Sequence, residues 1–124
     1  MTAKKNVLLI GSDPALGNYA AFPDLDAEKV LAAFKTDEDR LTSLGYGVQV
    51  CWIDHGETAE AVVKDQLSKK QFHCILIGAG VRTLPSRFIL FERLINLLHE
   101  QAPQAKLCFN TKPTDTAEAV LRWL

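Results

Sequence analysis

No apolar run in this chain approaches the ~20 residues that a membrane-spanning helix requires. The first hydrophobic stretch, Val7 to Ile10, is too short for a signal-peptide core, so a soluble, cytoplasmic protein is expected. Basic blocks are missing as well. No Lys/Arg run is longer than the pair Lys69-Lys70, and 14 basic residues stand against 15 acidic ones. Phosphate-backbone binding therefore lacks its electrostatic footprint, which argues against a nucleic-acid partner. Cysteine is sparse: Cys51, Cys74 and Cys108 stand singly, with no C-x-x-C and no His at ligand spacing. They read as small buried hydrophobes, and no metal site is expected from them.

Nucleotide signatures are also lacking. The stretch from Gly11 to Gly17 has neither the glycine spacing of G-x-G-x-x-G nor the Lys-Ser/Thr of a P-loop. Gly78-Ala79-Gly80 supplies G-x-G after a strand, but Thr83 stands where the third glycine belongs. A phosphoacceptor domain would need an Asp closing its third strand, and Gly78 holds that place. No cofactor is assigned.

What the chain does have is length and apolar content. With 124 residues, 48% of them hydrophobic, it can bury about two thirds of its unfolded surface without disulfides or metal. Residues 1–124 are read as one domain. Val7-Leu8-Leu9-Ile10, ending at Gly11, and Cys74-Ile75-Leu76-Ile77, ending at Gly78, have the wholly apolar character of parallel strands buried on both faces. Val48 to Ile53 and Lys106 to Phe109 supply two more strands, the last short enough for an edge.

Helical patterns separate the strands. In the first, Val30, Leu31, Phe34, Leu41 and Leu44 share a face, Asp26 is the N-cap in competition with Asp24, and Gly45 is the stop. The second runs from about Thr58 to Leu67 with Ala59, Val62, Val63 and Leu67 inward, and the third from about Arg87 to Gln101. The fourth starts near Asp115 or Thr116. Strictly alternating strands and helices predict an α/β fold: a four-stranded parallel sheet in the order 2-1-3-4, with helices on both faces. Leu8-Leu9-Ile10-Gly11 is echoed by Ile75-Leu76-Ile77-Gly78, and Thr58-Ala59-Glu60-Ala61-Val62 by Thr116-Ala117-Glu118-Ala119-Val120. The halves thus form a weak repeat.

In open α/β sheets the chain leaves the two central strands in opposite directions, and ligands bind in the crevice at their carboxyl ends. Order 2-1-3-4 puts that point between Gly11 and Gly78. The ligand-binding residues expected there begin with Gly11, Ser12 and Asp13 after the first strand and Asp54 after the second, with His55 and Glu57 beside it. Gly78, Gly80 and Arg82 follow the third strand, Asn110 and Thr111 the fourth. The segment from Gly78 to Thr83 suits an anion, since glycines let backbone N–H groups approach and Arg82 or Arg87 can clamp phosphate or carboxylate. The only long connection, Ser12 to Leu25, is a loop of fourteen residues and the natural lid.

The third helix sweeps apolar residues over roughly 180°, wider than the ~100° that a sheet covers. With the unprotected edge of the fourth strand, this predicts a homodimer through that helix or that edge. GAGVRT at 78–83, FERLINLLHEQAP at 91–103, CFNTKPTDTAEAVLRW at 108–123 and GETAEAVV at 56–63 resemble a set of short uncharacterised bacterial proteins of Rossmann-like appearance. The resemblance implies the fold and no activity. The leading expectation is a module that binds a small molecule, an anion or mononucleotide. A homodimeric interaction module without ligand follows, and then a small enzyme with Asp54 or His55 as acid/base.

Overall fold

The computed structural model describes residues 4–56 and 58–124; Glu57 therefore lies outside the described residues. Four strands, β1 (Asn6–Ser12), β2 (Gly47–Ile53), β3 (Cys74–Ile77) and β4 (Lys106–Phe109), form one sheet in the order β2-β1-β3-β4. All three pairings are parallel, as the alternation of strands and helices predicts. The two echoed segments are neighbours in register, with Leu8 opposite Ile75, Leu9 opposite Leu76 and Ile10 opposite Ile77.

Period-2 alternation divides the strand side chains between two cores. Leu8, Ile10, Ile75 and Ile77 face one way and pack with α2 (Ala59–Lys69) and α4 (Phe88–Gln101). Val7, Leu9, Leu76 and Cys108 face the other way and pack with α1 (Ala27–Ser43) and α5 (Thr116–Leu121). The central strands are apolar throughout because both faces are covered. Each fully buried Leu or Ile stabilises the fold by roughly 1.5–3 kcal/mol. The cysteines belong to these cores as expected, at 3%, 0% and 1% exposure for Cys51, Cys74 and Cys108.

Asp26 caps α1 by accepting a hydrogen bond from Lys29 N at 2.8 Å, and Gly45, with φ of +99°, turns the chain into β2. Two residues expected on the inner face of α1 are not there: Leu31 and Leu44 are exposed. The buried stripe is Phe34, Asp37 and Leu41; Leu31 lies off that stripe, and Leu44 is the C-cap, past the last helical turn. A one-turn helix, α3 (Ala79–Arg82), and a 3-10 turn over Pro85–Arg87 precede α4, so the third and fourth predicted helices are α4 and α5. Of the wide apolar arc on α4, Leu90, Leu94 and Leu98 are buried, Phe91, Ile95 and Leu97 are partly buried against the same core and Phe88 is exposed; Ile89, outside the arc, is exposed as well. Among the described residues, no helix is long and apolar enough to cross a membrane.

Candidate functional site

Gly11 and Gly78 close adjacent central strands, and Gly78 N donates to Ile10 O at 2.8 Å. A Cβ on Gly78 would lie 3.2 Å from that carbonyl, and one on Gly11 would be driven to 2.5 Å from the Trp52 ring. Lacking side chains, the two positions leave a bare floor. Over it opens a cavity of about 140 Å³. The sequence places the switch point here because β1 returns through α1 on one face while β3 continues through α4 on the other.

Of the expected residues, Gly11, Ser12, Gly78, Gly80, Asn110 and Thr111 line this cavity. Its opposite wall is apolar. Tyr19, Phe22 and Leu25 come from the long loop, Val30 and Phe34 from α1. The loop is tied down at its start, where the Tyr19 hydroxyl donates to Pro14 O at 2.5 Å. The three loop residues recur every third position, a spacing that marks a segment laying one side against the body of the protein. Arg87 and Lys112 complete the lining.

Asp13, Asp54 and Arg82 are not brought into the cavity, each for a local reason. Asp13 caps the 3-10 turn at Pro14–Leu16, accepting from Ala15 N at 2.9 Å. Asp54 satisfies the start of α2, accepting from Gly56 N at 3.2 Å and from the Thr58 hydroxyl at 2.8 Å. These bonds, the Thr58 hydroxyl first, hold its carboxyl below the ordinary range, so it is a charged cap rather than a base. Arg82 turns toward β4, donating to Asn110 O with its guanidinium 5.3 Å from the Phe109 ring centroid.

The cation at the crevice is instead Arg87, only 7% exposed. The Pro85–Arg87 turn swings it back over α3, where its guanidinium donates to Gly80 O, to Ser12 Oγ at 3.4 Å and to His55 Nδ1 at 3.4 Å. His55 Nε2 meets Ser12 Oγ at 2.9 Å. Burial first, and then the neighbouring guanidinium, lower the His55 pKa below its ordinary value, against the opposing pull of Asp54 and Asp13. The shift favours the neutral imidazole.

A guanidinium has no lone pair, so Nδ1 accepts and the ring proton sits on Nε2. His55 therefore donates to Ser12 and offers it no base. The arrangement differs from a nucleophile–base pair, in which the imidazole would take the hydroxyl proton. Asp54, engaged with α2, does not orient the ring. Acid/base work by Asp54 and His55 thus has no geometric support, and Asp13, His55 and Arg82 do not converge.

The glycine segment also behaves differently from a phosphate cradle. Gly78 N is bound to Ile10 O, Ala79 N to Asn110 Oδ1 at 2.7 Å and Val81 N to Gly78 O at 3.0 Å. Asn110, 2% exposed, is thereby a brace: its Nδ2 donates to Thr116 Oγ1 at 2.9 Å, joining the ends of β3 and β4 to α5. Thr111 is held through its N–H and hydroxyl by Asp115. What remains for a ligand is the Arg87 guanidinium, a hydroxyl hydrogen on Ser12, the Lys112 ammonium group and an apolar wall. No protein-family model matches this chain and no curated protein matches its sequence, so the functional reading rests on this geometry.

Proposed function

We propose that the chain is a binding or regulatory module for a small anionic ligand, seated across Gly11 and Gly78 and held by Arg87. One observation carries the reading. Arg87 is a buried cation on the cavity wall, and among the described residues the ion pairs are Lys35–Asp39, Lys69–Asp65 and Arg93–Glu60, none of which involves it. Burying a charge without a counter-charge costs several kcal/mol. An anion in the cavity supplies the missing charge, and Lys112 at the rim adds attraction. At about 140 Å³ the space falls below the roughly 300–1,000 Å³ typical of drug-sized ligands. This favours a small anion over a mononucleotide.

Thermal unfolding in the presence of small carboxylates, inorganic phosphate and nucleotides tests the reading. At least one anion is expected to raise Tm in the wild type and to leave Arg87→Met unmoved. A broad panel without a hit overturns it.

A second reading, a homodimer through α4 or the edge of β4, draws on Phe88 and Ile89, each 56% exposed. A cytoplasmic location is in keeping with three free, buried thiols.

A further inference from the structure

The proton arrangement around Ser12 narrows the ligand further, if the anion reading above holds. Ser12 Oγ receives Nε2–H of His55 at 2.9 Å and an N–H of Arg87 at 3.4 Å. A hydroxyl that accepts twice keeps its own hydrogen for a third group. Ser12 lines the cavity, so that hydrogen is available to the occupant. Arg87 has N–H groups beyond those given to Gly80, Ser12 and His55. Arg87 and Ser12 thus form a pair of donors suited to an acceptor with two oxygens, with the Lys112 ammonium group also on the lining.

Phosphate asks for more. Its sites use several free backbone N–H groups in succession. Here those of Gly78, Ala79 and Val81 are already bonded within the protein, so the segment offers a single backbone N–H, that of Gly80, and no succession of them. A carboxylate needs only two donors, and a guanidinium with a hydroxyl provides them.

The whole cavity is about 140 Å³ in volume, and the wall formed by the loop and α1 is apolar. An apolar cavity of about 150 Å³ holds one benzene ring. With the polar end included in that volume, Phe22, Leu25 and Phe34 leave room for an apolar body no larger than a single ring. We propose that the ligand is a monocarboxylic acid with a compact apolar body, aromatic or branched. Its carboxylate meets Arg87 and the Ser12 hydroxyl, and its body lies between the 17–25 loop and α1.

Calorimetric titration of the full chain with benzoate and 3-methylbutanoate tests this against benzamide, inorganic phosphate and adenosine monophosphate. Benzoate or the branched acid is expected to bind at least about tenfold more tightly than benzamide, the worth of one charge-assisted contact. Ser12→Ala should weaken the acid about tenfold or more. Leu25→Asn, in the exposed loop, should weaken the acids without altering the fold seen by circular dichroism, which keeps the test open should Arg87→Met fail to fold.

Binding of phosphate or the nucleotide through Arg87, with the apolar acids inert, overturns the carboxylate assignment and leaves the anion reading standing. Equal binding of benzoate and benzamide overturns the charge requirement, and with it both. Failure of every anion to bind removes both as well.

Discussion

Arg87 and Asp37 are both charged and both 7% exposed, yet they stand in opposite relations to the fold. Asp37, on the inner face of α1, accepts from Ala117 N at 2.9 Å and so satisfies the first turn of α5 across the sequence. Its replacement leaves a buried N–H unpaired, a loss of about 1–3 kcal/mol. Asp37→Ala should lower the urea midpoint accordingly, with an unchanged slope. Arg87 has neutral partners only. Removing a buried, unpaired cation relieves a desolvation cost of several kcal/mol, which offsets a loss of about 1–3 kcal/mol where its acceptors Gly80 O, Ser12 Oγ and His55 Nδ1 lose a donor. Arg87→Met is therefore expected to keep or raise the stability of the ligand-free protein while abolishing anion binding. A stability loss above about 1 kcal/mol would make Arg87 a structural residue instead.

At the scale of elements, the crevice joins three chain segments through one imidazole. His55 follows β2, Ser12 ends β1 and Arg87 precedes α4. Its facing charges are Arg87, which disfavours protonation, and Asp54 and Asp13, which favour it. With the folded pKa below the ordinary 6.5, the unfolded chain binds the proton more readily. The stabilisation is complete above about pH 6.5 and is lost as pH falls through the folded value. Thermal unfolding at about pH 7.5 and about pH 5.5 should show a smaller difference for His55→Gln than for wild type. An equal difference would mean that His55 does not titrate differently in the folded and unfolded chain, so that neither its burial nor Arg87 perturbs it.

Across the whole molecule, two separate cores hold a sheet with open edges at β2 and β4. Exposed Phe88 and Ile89 lie on α4 and do not line the cavity. Dimerisation and ligand binding can thus be measured independently. Light scattering at micromolar concentration is expected to give a mass of two protomers under the dimer reading, and a mass of one removes it. Whichever results, Arg87→Met should leave the mass unchanged, because its side chain is turned inward to Gly80 and Ser12.

The sheet was legible because its signals are local. Four apolar runs, two of them closed by Gly11 and Gly78, and helices between them determine strand order once crossover handedness is granted. The position of the crevice followed from that order. Its chemistry did not. Arg82 and Arg87 are equivalent as sequence; the turn at Pro85–Arg87 sends one to Ser12, while Phe109 and the carbonyl of Asn110 take the other. Asp13 and Asp54 look free for a ligand until nearby N–H groups of the same loops capture them. Periodicity records which side of an element is apolar, so the sequence alone determined layers and strand order. Side-chain partners depend on which chain segments meet at the sheet end, and only the tertiary structure decided them.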